Sequence, residues 1–226
     1  MGKYDFQMDL GENSTTGKFA RIIKPGSTVL EFGCAEGRMT RYMQENLNCQ
    51  VYIVEIDRKC YEQARAFSAG GICCDAEMLE WQAEFENIRF DYVMFSDVLE
   101  HLRQPDKVMK AAGELLKEDG KVLVSIPNIG HGDIICSLLC NRFHYTDIGL
   151  LDSTHVHFWT KSPPARPVTP VSYESQQCVL VSRAAFRLQC LCTAIRYIIK
   201  APAGQLPTHP TSAVQECDSC KDDYSR

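Results

Sequence analysis

No stretch of this chain approaches the ~18 consecutive apolar residues that a membrane-crossing helix needs, so no such helix is predicted. Basic charge is not in excess either. Lys and Arg number 24 against 29 Asp and Glu, a net charge of −5, with no basic stripe. That balance excludes a nonspecific nucleic-acid binder, which works through clustered cations. Proline is scarce before residue 162, with only Pro25, Pro105 and Pro127, which leaves that part open to regular elements. What the twelve cysteines lack is spacing. Those from Cys34 to Cys140 lie mostly inside apolar runs (Cys73 and Cys74 adjoin), and Cys217-x-x-Cys220 is a single pair without a second pair to complete a zinc site. Because Met1–Lys18 is polar and carries no secretory signal, these cysteines read as reduced thiols of a cytoplasmic protein.

What is present is ordinary globular composition: 226 residues, 45 % hydrophobic and 23 % charged. A chain of this size buries roughly 70–75 % of its unfolded surface and folds without staples. It divides at Lys161. Residues 1–161 carry 17 basic and 24 acidic side chains, and residues 162–226 carry 7 and 5 together with Pro163, Pro164, Pro167, Pro170, Pro202, Pro207 and Pro210. There is no internal repeat. In the first part, short runs rich in Val, Ile and aromatics predict strands at Thr28–Phe32, Val51–Ile56, Gly71–Cys74, Tyr92–Phe95 and Lys121–Ile126. Between them, Arg38–Asn46, Arg58–Ala69 and Pro105–Leu116 read as helices, the last with Pro105 at its first position and Gly120 as its stop. Strands alternating with crossover helices predict an α/β fold. Its sheet is doubly wound and mostly parallel, with helices on both faces, and ligands lie at the strands' carboxyl ends.

The most informative segment is Val29-Leu30-Glu31-Phe32-Gly33-Cys34-Ala35-Glu36-Gly37, a strand running into a glycine turn ahead of a helix. Glycines there permit positive φ and a close approach of ligand to backbone. A Gly-x-x-x-Gly alone is explained by turn geometry. Strand, turn, helix, strand and then a terminal acid, Glu55, together describe a nucleotide-binding βαβ unit whose acid accepts ribose hydroxyls. A dinucleotide site needs Gly-x-Gly-x-x-Gly with a pyrophosphate on the helix N-terminus. The spacing here is Glu31-x-Gly33-x-Ala35-x-Gly37 with acids at Glu31 and Glu36, which favours a ligand bearing an ammonium group over NAD.

These residues resemble the first motif of class I S-adenosylmethionine-dependent methyltransferases, with Ala35 in place of a middle glycine. Further landmarks follow in order: Glu55-Ile56 for the ribose acid, Cys74-Asp75-Ala76 for the third motif, Phe90 to Leu102 for the fourth and Leu116 to Asn128 for the turn and fifth strand. The resemblance covers about residues 15–160 and implies a Rossmann-like methyltransferase fold with S-adenosyl-L-methionine as cofactor. It implies contacts to that cofactor from Glu31, Gly33, Cys34, Ala35, Gly37, Glu55, Ile56, Asp75, Ala76, Ser96 and Asp97.

Methyl transfer from a sulfonium needs alignment above all, and a base only where the acceptor must lose a proton. The acceptor side is placed in a loop over residues 127–160, rich in His, Asp and Tyr. Its sequence is similar to that of bacterial methyltransferases of sugar and cell-surface glycan pathways, which implies transfer to an O or N atom of a small-molecule or glycan-precursor acceptor, without nucleic acid or membrane span. His131, just past the fifth strand, is the first candidate for a base and His101 the second. Asp152, His155 and His157 do not have the converging spacing of a metal site, so no metal is expected. After Trp159 the prolines exclude a continuous helix. Residues 162–200 read as a divergent completion of the sheet, with strands at Gln177–Ser182 and Phe186–Tyr197, and residues 201–226 as a flexible tail. Two other readings stand beside the enzyme: a catalytically impaired S-adenosylmethionine-binding or regulatory module, and an NAD-linked oxidoreductase that the glycine spacing disfavours.

Overall fold

The strand at the centre of the sheet, β1 (Thr28–Phe32), is buried without a break from Val29 to Phe32, its one carboxylate, Glu31, included. In the computed structural model, which describes residues 8–12, 14–160 and 176–182, the chain enters β1 from helix α1 (Thr15–Ile22), capped by the Ser14 side chain. From β1 it continues through α2 (Arg38–Leu47), β2 (Gln50–Glu55), α3 (Arg58–Ala64), β3 (Gly70–Cys73), the short α4 (Trp81–Glu84) and β4 (Phe90–Ser96). It closes with α5 (Pro105–Glu114), β5 (Leu116–Pro127), α6 (Gly132–Leu139) and β6 (Gln176–Ser182).

The strands lie in the order β3-β2-β1-β4-β5-β6. β1 to β5 are parallel and β6 runs antiparallel against β5, pairing Val122 with Val181 and Val124 with Val179. Alternation along each strand divides the core in two. Leu30, Phe32, Val93 and Phe95 face α4 and α5, where Trp81, Val108, Met109 and Ala112 meet them. Val29, Tyr92 and Met94 face Phe19 of α1, Met39 and Met43 of α2, and Ala64 of α3. Phe32 stacks on Phe95 at 4.5 Å and takes Trp81 edge-on at 4.9 Å, and the indole N–H donates to the Ala76 carbonyl. Burying side chains of this size contributes about 1.5–3 kcal/mol each. The order reverses between β1 and β4, so the crevice of this sheet opens at their carboxyl ends.

Several boundaries move from their predicted places for identifiable reasons. The helix predicted to Ala69 stops at Ala64 and tightens into a 3₁₀ turn, Arg65–Phe67, because the Ala69 amide is drawn into the sheet by the Val51 carbonyl. The helix predicted to Leu116 ends at Glu114. Leu116 pairs with Phe90 in the sheet, residues 117–120 loop out, and pairing resumes at Lys121 with Tyr92, so Gly120 belongs to the excursion rather than to a helix stop. The run 127–160, predicted as a loop, contains α6. The strand predicted at Gln177–Ser182 is β6, whereas Phe186–Tyr197 and the tail lie outside the described residues.

Candidate active site

Gly33 to Gly37 make a turn in which three residues, Gly33 (φ +65°), Ala35 (φ +48°) and Gly37 (φ +78°), are left-handed. Gly37 has a second constraint: a Cβ there would stand 2.6 Å from the Ala64 backbone, so the turn lies directly on α3. The alternating amides of the turn are all taken. Gly33 N–H donates to the Val54 carbonyl at 2.9 Å, Ala35 N–H to Glu55 Oε2 at 2.9 Å, and Gly37 N–H to the Cys34 carbonyl at 2.9 Å. Glu55, closing β2, also accepts from Asp57 N–H through Oε1 at 3.0 Å, so one carboxylate ties the glycine turn to the start of α3. Beside it Ile56 is 68 % exposed, an apolar side chain next to the acid that closes β2.

Glu31 is buried beneath the turn rather than displayed in it. Its Oε2 accepts from the Thr40 hydroxyl at 2.6 Å, and burial pushes its pKa from 4.5 up to about 8, with the Glu55 charge adding to the rise. Cys34 is buried too, and desolvation pushes its thiol far up, which makes it an inert packing group. Glu36, the other acid of the turn, pairs with Arg38 at 3.1 Å.

Asp75 caps the 3₁₀ turn Ala76–Met78 by accepting from Glu77 N–H at 2.8 Å, and the Ala76 carbonyl holds Trp81. At the end of β4, Ser96 Oγ stands 3.5 Å from Ser125 Oγ, and Asp97 takes a left-handed conformation (φ +54°) with its N–H on the Ser125 carbonyl and hydroxyl. The eleven residues expected to hold a nucleoside thus converge on the ends of β1, β2 and β4 and the segment after β3.

The two candidate bases are placed very differently. His131 is the N-cap of α6, its Nδ1 accepting from Asp133 N–H at 3.4 Å, so a neutral ring carries its proton on Nε2. His101 closes the 3₁₀ turn Leu99–His101 rather than opening a helix; α5 begins only at Pro105. Its Nδ1 is 3.0 Å from Thr154 Oγ1, and that hydroxyl donates to Asp152 Oδ1 at 2.6 Å. A hydroxyl has one proton, so Thr154 accepts from His101 Nδ1–H and leaves Nε2 with its lone pair.

Two further groups, Glu100 and His155, stand with His101 in the fold. Glu100 is fully buried and neither carboxylate oxygen finds a hydrogen-bond partner among the described residues. Its pKa is raised to about 8, by burial first and then by Asp97 and Asp152. The His155 ring packs on His101 with centroids 4.8 Å apart, and its Nε2 lies 4.0 Å from Glu100 Oε1. The chain after α6 is bound to this point by its backbone, Val156 and His157 both donating to the Glu100 carbonyl. The only advance signal of Glu100 was its position directly before His101, and Thr154-His155 were hidden by sequence distance.

Comparison with known proteins follows the same path. A family model described as a methyltransferase domain matches residues 13–162. The ubiquinone biosynthesis O-methyltransferase of Xanthomonas axonopodis pv. citri is 30 % identical over 112 residues, 48 % of this chain and 46 % of that protein. The enzyme of the same name from Idiomarina loihiensis is 32 % identical over 120 residues, 52 % of this chain and 46 % of that protein. The alignments thus span about half the length of these curated relatives. Among solved structures, a SAM-dependent methyltransferase from Archaeoglobus fulgidus is 17 % identical with a TM-score of 0.49, covering 64 % of this chain and 61 % of that one. A Haemonchus contortus phosphoethanolamine N-methyltransferase 2 is 28 % identical with a TM-score of 0.46, covering 54 % and 30 %.

Proposed function

Since this chain belongs to the methyltransferase-domain family, whose model spans residues 13–162, we propose that it transfers the methyl group of S-adenosyl-L-methionine to an oxygen of a small-molecule acceptor. The observation that carries the reading is the state of the glycine turn. The amides of Gly33, Ala35 and Gly37 are spent on protein acceptors and Glu55 and Asp75 line the crevice, which suits a ligand rich in donors and not a diphosphate. When bound, S-adenosylmethionine supplies a methyl group already activated by its sulfonium.

The chain's residues then hold and align. Glu55 accepts ribose hydroxyls on the lone pairs that Ala35 and Asp57 leave it, and Ile56 covers an apolar face of the base. Asp75 accepts from the adenine amino group, with Ala76 beside it. Gly33, Cys34, Ala35, Gly37, Ser96 and Asp97 surround the methionine portion, with Glu31 fixing the turn from below through Thr40. Alignment of this kind is worth effective molarities of about 10⁵–10⁸ M. The acceptor enters beside β4 and β5, where His101, held by Thr154 and Asp152, presents the lone pair that takes a hydroxyl proton. His131, with Nδ1 engaged in capping α6, is the less well placed of the two. The curated relatives named above are O-methyltransferases of ubiquinone biosynthesis, and this favours an oxygen of a small molecule over the sugar or glycan precursor expected from residues 127–160.

Calorimetry with S-adenosylhomocysteine and with NADH tests the cofactor side: the first is expected to bind and the second not, and the reverse result removes the proposal. Turnover across a panel of hydroxylated acceptors tests the chemistry. Thr154→Val is expected to lower kcat about tenfold while leaving S-adenosylhomocysteine affinity unchanged, because the His101 tautomer is no longer fixed. Normal binding of S-adenosylhomocysteine with no turnover on any acceptor leaves the binding module as the better description.

A further inference from the structure

We propose that Glu100, His101 and His155 form a binding site for one divalent transition-metal ion at the acceptor end of the crevice, a site that rests on the reading of that end given above. One ligating atom from each of the three lies within 4.8 Å of the others. Two ligands each about 2.1 Å from a shared ion stand about 3.0–4.2 Å apart, and His155 Nε2 and Glu100 Oε1 are already at 4.0 Å, too far for a hydrogen bond between them. The Glu100 carboxylate is the second, independent sign. It is fully buried, reaches no hydrogen-bond donor among the described residues, and faces the carboxylates of Asp97 and Asp152 rather than a lysine or arginine. A buried carboxylate so placed is one that a cation stabilises.

The surroundings fit a metal in other respects. His101 is held in one tautomer by Thr154, itself bound to Asp152, the kind of outer support that orients a ligating imidazole. Both Glu100 and the segment carrying His155 are tied together through the backbone of Val156 and His157, so the ligands come from two segments already fixed to each other. Spacing along the chain could not show this. It offered Asp152, His155 and His157, whereas in the fold His157 Nε2 turns to the Arg103 carbonyl at 3.4 Å and Asp152 supports Thr154. Two imidazoles and one carboxylate select a borderline ion such as zinc, cobalt(II) or iron(II) rather than magnesium or calcium. Three protein ligands leave positions open for the acceptor's hydroxyl oxygen. With the ion bound, the His101 lone pair is spent on it and the hydroxyl proton passes to solvent; without the ion His101 keeps the role of base given above.

The test uses the full chain, stripped with a chelator and titrated with cobalt(II) and, separately, with magnesium. One equivalent of cobalt is expected to bind with the weak visible bands of nitrogen and oxygen ligands and to raise the unfolding temperature, with magnesium without effect. Glu100→Gln and His155→Ala are each expected to weaken cobalt binding at least tenfold. Titration with S-adenosylhomocysteine checks in parallel that the variants are folded and that the nucleoside site is intact. A chain that binds S-adenosylhomocysteine but takes up no cobalt overturns the metal site and leaves the methyltransferase reading standing. So does uptake indifferent to both substitutions, or an intense near-ultraviolet thiolate band that places the ion on cysteines. If either variant fails to fold, the other decides; if both fail, uptake of one cobalt without a thiolate band by the wild-type chain supports the site, and no such uptake overturns it.

Discussion

Glu31→Gln is expected to stabilise the ligand-free protein in alkaline solution and to leave it little changed in acid. Glu31 is 3 % exposed, and burial raises its pKa from 4.5 to about 8. The sign follows from proton counting. Between these two values the unfolded chain has released the Glu31 proton and the native chain still holds it, so the native state binds more protons and stability falls as pH rises. The fall begins near pH 4.5, is complete once the pH passes about 8, and amounts to about 5 kcal/mol if the full shift is realised. That is a large part of the 5–15 kcal/mol by which a domain is stable. Glutamine keeps an oxygen for the Thr40 hydroxyl and cannot ionise. Urea unfolding of both proteins at several pH values from 5 to 9 therefore yields a gap that widens with pH and then levels. A gap that does not change with pH means that the carboxylate ionises in the native state much as it does in water.

The position of Glu31 also shows what sequence patterns can and cannot say. The succession of strands and helices along the chain, the glycine turn and the acid ending β2 are legible from local runs, whereas the faces of β1, Leu30 and Phe32 on one and Val29 with Glu31 on the other, emerge with the fold. The sequence did not show that Thr40, nine residues on, would bury the carboxylate under α2, because that depends on where a helix docks. The same limit separates the two histidines. His131 sits just past a strand end in the sequence, yet its ring caps α6, a helix masked by the polar surroundings of residues 140–160. His101 gains its tautomer from Thr154, 53 residues away, through a contact that no short-range pattern encodes. Boundaries moved where the sheet competed with helices for backbone groups, at Ala69 and at Leu116. Local propensity settles which elements exist; pairing with distant strands settles where they end.

Glu55→Ala is expected to cost more nucleoside affinity than any other single change in the crevice, because this side chain does two jobs. Its oxygens hold the amides of Ala35 and Asp57, and on the proposed reading their remaining lone pairs receive the ribose hydroxyls. Hydrogen bonds to a charged group contribute about 1.5–3 kcal/mol, so removing them weakens S-adenosylhomocysteine binding by about 10²-fold, and the two orphaned amides lower the stability of the turn as well. Glu55→Gln is the milder change: its single oxygen serves one amide while its NH₂ group confronts the other. The two jobs separate in a cycle that pairs the substitution with a ligand lacking one ribose hydroxyl. If Glu55 receives that hydroxyl, its deletion weakens binding to the wild-type chain and has little further effect on the Ala variant. If deletion costs the same in both, Glu55 only shapes the turn and the ribose lies elsewhere. Unchanged affinity in Glu55→Ala itself removes the acid from the site altogether, and with it the principal reason to place a nucleoside between β1 and β2.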